Sequence, residues 1–264
     1  MTSLLWRLAN GLQGLFTVLW SLLWIPLALL VRLATGSPNL SLAMARRIWA
    51  PGILWACGAR LEVGGLEHLE PGRSYLFAVN HQSQMDIPVV FQGLPVNVRF
   101  LVKEELKKVP LLGWYIGAMG MVFIERKDRA RALKRMKKMT ELLCQGACFV
   151  TFPEGSRSRN ARIQRFKSGA LLPALEAGVP VVPVAVEGGD RVLPAGSIRL
   201  RPGVIRMAVG EPISVAGLDP ADRRVFARQV EERVRDLYAS LQTTAEGTVP
   251  ESSSSASPSS PLRS

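Results

Sequence analysis

Twenty-four consecutive residues, Leu8 to Val31, carry no charge. As a helix they reach about 36 Å, enough to cross a hydrocarbon core of about 30 Å with some tilt. A chain with such a segment must bury it in a bilayer or against its own core. Trp6, Trp20 and Trp24 supply rings suited to an interface. Asn10 and Gln13 weaken the amino-terminal turns, so a helix lying partly in one leaflet stays open beside a span. Ala43-Met44-Ala45 has the form of a leader-peptidase site, but it lies well beyond an apolar run longer than a usual signal core. Arg32, Arg46, Arg47 and Arg60 follow the segment against Arg7 before it, a bias that keeps the remainder on the cytoplasmic face. Leu42 to Cys57 mixes arginine with Ile, Leu and Trp, and Pro51-Gly52 is expected to break it into an interfacial or re-entrant helix. Residues 1–60 thus read as a membrane-anchoring helical segment.

Charge narrows the partners. The chain of 264 residues has a formal net charge of +12. The surplus concentrates between Arg99 and Lys167, where 17 Lys and Arg face 6 Asp and Glu. Anionic lipid, nucleic acid and phosphorylated substrates all suit such a surplus. The apolar amino terminus favours lipid, and nucleic acid is not expected. The unpaired Cys57, Cys144 and Cys148 form no disulfide framework, and with only His68 and His81 available no zinc site is expected.

From Leu61 the texture changes to short apolar runs alternating with longer amphipathic segments. Strands are expected at Ser74–Val79, Val98–Val102, Met121–Ile124, Ala147–Phe152 and Val181–Val186, with a late pair at Ile198–Leu200 and Val204–Val209. Helices are expected at Pro88–Gly93, Lys127–Cys144, Gly169–Ala177 and Pro220–Leu241. In Lys127–Cys144 an apolar stripe of Ala130, Leu133, Met136, Met139 and Leu143 opposes a basic face. The alternation predicts an α/β domain over 61–241, with a mostly parallel central sheet flanked by helices. Residues 242–264, rich in Ser, Pro and Thr, are expected to form a disordered tail.

No phosphate-binding P-loop, dinucleotide fingerprint or nucleophile elbow occurs, which counts against an NTPase, a dinucleotide enzyme and a serine hydrolase. Two stretches carry possible chemistry. In Asn80-His81-Gln82-Ser83-Gln84-Met85-Asp86, His81 falls just past a strand end, where open α/β sheets place ligands. Five residues on one helix would splay His81 and Asp86 apart, but a turn between them brings the carboxylate to one ring nitrogen. That contact fixes the tautomer and frees the other nitrogen to take a proton. On spacing alone the plain alternative stays open, with Asp86 a helix cap and His81 a surface residue. In Phe152-Pro153-Glu154-Gly155-Ser156-Arg157, a proline ends a strand and a glycine permits a tight turn before an arginine-rich run. Turn amides and guanidinium groups suit an anion such as phosphate, although a solvated basic loop has the same composition. Lys103 and Arg126 stand near two further strand ends, so a parallel sheet would bring these groups to one edge.

These stretches resemble the motifs of the glycerolipid acyltransferases. Asn80-His81-x4-Asp86 is similar to the first motif, Gly120–Arg126 to the second, Phe152–Ser158 to the third and Val179–Val184 to the fourth, in the family's order. The resemblance implies catalytic roles for His81 and Asp86. It also implies an acceptor-phosphate site that takes in Arg126, Glu154, Gly155, Ser156 and Arg157, with Lys103 beside it. It implies transfer of an acyl group from acyl-coenzyme A or acyl carrier protein to lysophosphatidic acid among membrane phospholipids, with no cofactor and no metal. Ser156 stands where Thr is commoner, Glu125 where Asp is frequent and Ser168 where a basic residue is frequent. These departures loosen the choice of acceptor, since related branches acylate other lysolipids. A membrane-bound lipid-binding protein without catalysis is the alternative from another class.

Overall fold

The computed structural model describes residues 3–125, 129–158 and 162–246. Seven strands form one sheet: β1 Ala59–Gly64, β2 Leu76–Val79, β3 Val98–Lys103, β4 Val122–Ile124, β5 Cys148–Thr151, β6 Val181–Glu187 and β7 Gly203–Val209. Their order is β1-β7-β6-β2-β5-β3-β4, and every neighbouring pair is parallel except β6 with β7. The mostly parallel α/β architecture is therefore as the sequence predicts.

Burial on both faces explains why the central strands read as unbroken apolar runs. Along β2, Phe77 and Val79 enter one core while Leu76 and Ala78 enter the other. The first core is closed by helices α1 Ser3–Thr35, α2 Asn39–Met44, α3 Ala50–Ala56, α4 Asp86–Gly93 and α5 Leu112–Ala118. The second lies under α6 Arg129–Cys144, α7 Leu172–Ala177 and α9 Arg223–Glu246. A short helix, α8 Gly189–Val192, follows β6.

Several expectations need correction. Ile198–Leu200 is not a strand but part of a turn-rich loop, in which Ile198 is 90% exposed. The strand missed by sequence, β1, pairs with β7 at the sheet edge. Pro51-Gly52 does not break its helix: the chain stays helical from Asn39 to Ala56 through a π-turn at Ala45–Trp49. Pro51 has no N–H to donate, and a widened turn just before it accommodates the lost bond. In α6, Met136, Met139 and Leu143 are buried, but Leu133 is 53% exposed and leaves the stripe. Gly169–Ala177 divides into a short 3-10 turn and α7. The last helix extends to Glu246, into the segment expected as a tail. The rest of that tail, 247–264, lies outside the described residues.

Helix α1 is long and apolar enough to cross a membrane by length and composition, and its apolar window is 6% buried. It is nevertheless fastened to the α/β domain near both ends and to the following helices between them. Asn10 bonds both backbone groups of Leu200, at 2.6 and 3.3 Å. Trp20 Nε1 donates to the Trp49 carbonyl at 3.1 Å, and Ser41 Oγ donates to the Ala28 carbonyl at 2.7 Å. Arg32 Nε donates to the Ala118 carbonyl at 3.2 Å.

Candidate active site

The site begins where β2 stops. Asn80 is fully buried, and its side-chain amide extends the ladder: Nδ2 donates to the Val186 carbonyl at 2.9 Å and Oδ1 accepts from the Val186 N–H at 2.7 Å. This clamp onto β6 fixes the direction in which the chain leaves the sheet. His81 follows, and residues 82–85 turn back so that Asp86 opens α4. Asp86 does not cap the helix. Its Oδ2 instead accepts three bonds from the preceding turn, from His81 Nδ1 at 2.7 Å, Gln82 N–H at 2.8 Å and Ser83 N–H at 2.9 Å. The turn is thus wrapped around a carboxylate whose side chain is 1% exposed. Two backbone donors compensate much of the cost of burying that charge.

The same geometry sets the tautomer. A buried carboxylate at Nδ1 makes that nitrogen the donor, which leaves Nε2 with its lone pair. The imidazole lies flat against Phe152, with ring centroids 4.0 Å apart and 19° between planes. Among the described residues Nε2 has no hydrogen-bond partner, and the ring keeps some exposure toward a cavity. An oriented imidazole with one free nitrogen is the arrangement a general base requires.

The second stretch forms a turn against the first. Gly155 N–H bonds the Phe152 carbonyl at 2.9 Å, and Gly155 has φ +78°, a conformation that side chains disfavour. Glu154 is buried beneath this turn. One carboxylate oxygen accepts from His81 N–H at 2.6 Å and the other from Gln164 N–H at 2.8 Å. Burial pushes its pKa up, and the two backbone donors offset only part of that. Ser158 N–H completes the link by donating to the His81 carbonyl at 2.8 Å. Glu154 therefore holds the histidine backbone in place and does not face the cavity as an anion ligand.

A cavity of about 1580 Å³ opens from His81 and runs between β3, α5 and the amino-terminal helices. Lys103, Gly155, Ser156 and Arg157 line it with His81, and Thr17, Ile25 and Met44 stand among its other lining residues. The structure thus brings together every expected residue it describes: His81 with Asp86 by direct contact, Glu154 through the backbone, and Lys103, Gly155, Ser156 and Arg157 around one space. Arg126 lies outside the described residues. Sequence reading missed Phe152 as the stacking partner, Gln164 as the second donor to Glu154, and Gly189. An added Cβ at Gly189 would lie 2.8 Å from Asp86 Oδ1. Phe152 and Gly189 had a signal, since each adjoins a strand end on the edge where ligands bind. Among the described residues no cluster of His, Cys, Asp and Glu could hold a metal ion.

Comparison with known proteins gives the same reading from outside. The Acyltransferase family matches residues 60–187. The chain is 36% identical over 163 residues to a 1-acyl-sn-glycerol-3-phosphate acyltransferase of Chlamydomonas reinhardtii, covering 59% of this chain and 49% of that protein. It is 30% identical to the human 1-acyl-sn-glycerol-3-phosphate acyltransferase alpha over 74% of this chain and 69% of that one. The chain belongs to the 1-acyl-sn-glycerol-3-phosphate acyltransferase family. The crystal structure of PlsC, the 1-acyl-sn-glycerophosphate acyltransferase of Thermotoga maritima, superposes with a TM-score of 0.74 at 26% identity. That match covers 88% of this chain and 97% of PlsC. The chain spans about half the length of the algal and plant family members it matches, 49% and 45%.

Proposed function

We propose that the protein transfers an acyl group from a thioester, acyl-coenzyme A or acyl carrier protein, to the sn-2 hydroxyl of lysophosphatidic acid, giving phosphatidic acid. The observation that carries this reading is the His81–Asp86 contact of 2.7 Å, which leaves Nε2 free at the head of an apolar cavity. In the proposed reaction Nε2 removes the acceptor's hydroxyl proton as that oxygen attacks the thioester carbonyl. Asp86 stabilises the imidazolium so formed. The tetrahedral intermediate then expels the thiolate, which takes the proton back from His81, so no covalent acyl-enzyme is needed. Arg157, Lys103 and Arg126 are assigned to the acceptor phosphate, Ser156 and Gly155 to the turn that faces it, and Glu154 to holding that turn against His81. Oleoyl-coenzyme A as donor with alternative lysolipids as competing acceptors tests the assignment. Preference for lysophosphatidic acid supports it, and preference for a neutral or zwitterionic lysolipid replaces it.

The protein is assigned to one leaflet on its cytoplasmic face. Asn10 and Arg32 lie about 33 Å apart along α1, yet both bond the same α/β domain. A helix held at both ends by one domain lies along that domain, which favours a monotopic placement over a span. Acceptor and product, both bilayer lipids, then reach the cavity from the side.

A further inference from the structure

The loop between α8 and β7, residues 193–202, has features that the acyl-transfer reading leaves unexplained. It is built firmly. Ser83 Oγ, in the turn that wraps Asp86, donates to the Leu193 carbonyl at 2.7 Å. Ser197 N–H bonds the Pro194 carbonyl at 3.0 Å, Arg201 N–H bonds the Val192 carbonyl at 2.9 Å, and Leu200 is buried. At the tip of this ordered loop Ile198 is 90% exposed, the most exposed of the large apolar side chains described. Arg199 and Arg201 flank it, both exposed, and neither guanidinium has an ion-pair partner among the described residues. A single exposed isoleucine needs no explanation by itself, so the argument rests on what surrounds this one.

Two attachments join the loop to the amino-terminal helices. Asn10 binds both backbone groups of Leu200, and Leu8 and Leu12, on the side of α1 turned away from that contact, are 57% and 68% exposed. At the loop's far end Pro202 packs on Gly58, where an added Cβ would lie 3.0 Å from its ring, and Gly58 closes the turn after Trp55, itself 76% exposed. Ile198 therefore stands two residues from the point at which the loop is tied to α1. Asn10 is also explained: an asparagine in an apolar helix at a bilayer is costly unless paired, and the loop pairs it. On the inner side, Ala195 and Gly196 line the cavity of His81.

We propose that this loop is a second membrane-contacting element. Ile198 enters the acyl region of the leaflet, Arg199 and Arg201 pair with anionic lipid phosphates, and the bilayer closes one wall of the opening to His81. The partner is an anionic lipid surface, argued from the two free guanidinium groups beside an apolar tip. The proposal rests on the membrane placement of α1 given above, and the test separates the two.

The test places an environment-sensitive fluorophore at Ile198→Cys in a Cys144→Ser background, because Cys144 is the exposed cysteine of the three. A control carries it at Val225→Cys, exposed on α9 under the opposite core. The full chain is mixed with vesicles of phosphatidylcholine and phosphatidylglycerol. Expected are a blue shift and protection from iodide at position 198 and neither at 225. The double variant Arg199→Gln, Arg201→Gln should lose roughly 30-fold in its preference for phosphatidylglycerol, at about fivefold per arginine. Protein that sediments with vesicles while position 198 stays water-like overturns the loop proposal alone. Protein that does not associate overturns the membrane placement as well. A shift that appears with protein concentration and without lipid assigns the tip to a second copy of the chain instead.

Discussion

Replacing Gly189 by alanine puts one methyl group against the carboxylate that holds His81. The new Cβ would lie 2.8 Å from Asp86 Oδ1 and 3.3 Å from Ser83 Cβ. Neither neighbour yields easily, because Asp86 Oδ2 is held by three donors and Ser83 Oγ by the Leu193 carbonyl. Relief to ordinary contact needs a movement of roughly 0.5 Å or more. Overpacking of this kind costs about 1–3 kcal/mol. A 1 Å misplacement at a reacting group costs about 100-fold, so half of that predicts a fall of about tenfold in kcat. Neither Gly189 nor Asp86 lines the cavity that holds Lys103 and Arg157, so KM should change little. Because the carboxylate acts through the imidazole, the acid limb of the pH–rate profile should move as well, which a loss of stability alone would not do. Steady-state kinetics across pH read both effects. Gly117→Ala is the control, in a helix position with nothing within 4 Å of the added Cβ, and it should leave kcat unchanged. Wild-type kcat and an unmoved pH profile in Gly189→Ala would refute the claim that the Asp86 position is sterically set from α8.

Other perturbations probe the supports around the site. Asn80→Ala leaves the Val186 N–H and carbonyl buried without partners, an expected loss of about 2–4 kcal/mol, read as a drop of several degrees in Tm; an unchanged Tm contradicts the clamp. Burial raises the Glu154 pKa above the ordinary glutamate value of 4.5. Its contribution to stability is therefore greatest below 4.5 and is lost as pH rises through the folded-state value. The stability difference between wild type and Glu154→Gln should then shrink for wild type with rising pH across that window, and a difference that grows with pH contradicts it. Burial pushes the Cys57 thiol up to about 11 and Cys148 upward too, while Cys144 is exposed. Ellman's reagent should therefore titrate one thiol in the native protein and all three after denaturation.

The central strands were legible in the sequence because local rules determine them, whereas the His81–Asp86 pair stood open on spacing alone and became legible through the family resemblance. Unbroken apolar runs such as Val181–Val186 belong to strands buried on both faces, and a histidine just past one of them falls on the ligand edge. The misreadings have physical reasons. β1 alternates Ala59, Leu61 and Val63 with Arg60 and Glu62, as a half-buried edge strand does, and was passed over because the strands identified were the unbroken apolar runs; its partner β7 also lies far along the chain. Ile198 and Leu200 mimic strand alternation, but Leu200 is held by Asn10, a contact between residues 190 apart. The Pro51 helix survives because a widened turn precedes it, which no propensity rule anticipates. Phe152, Gln164 and Gly189 act by contacts that form only once β2, β5 and β6 lie side by side, so their roles follow from topology and not from local pattern.

The most direct measurement of the proposed chemistry is thiol release from oleoyl-coenzyme A by the purified protein in detergent micelles, with and without lysophosphatidic acid, beside His81→Ala. Release that requires the acceptor and falls by more than about 10³-fold in the variant is the expected result. Near-normal turnover by His81→Ala would contradict the assignment of His81 as the base.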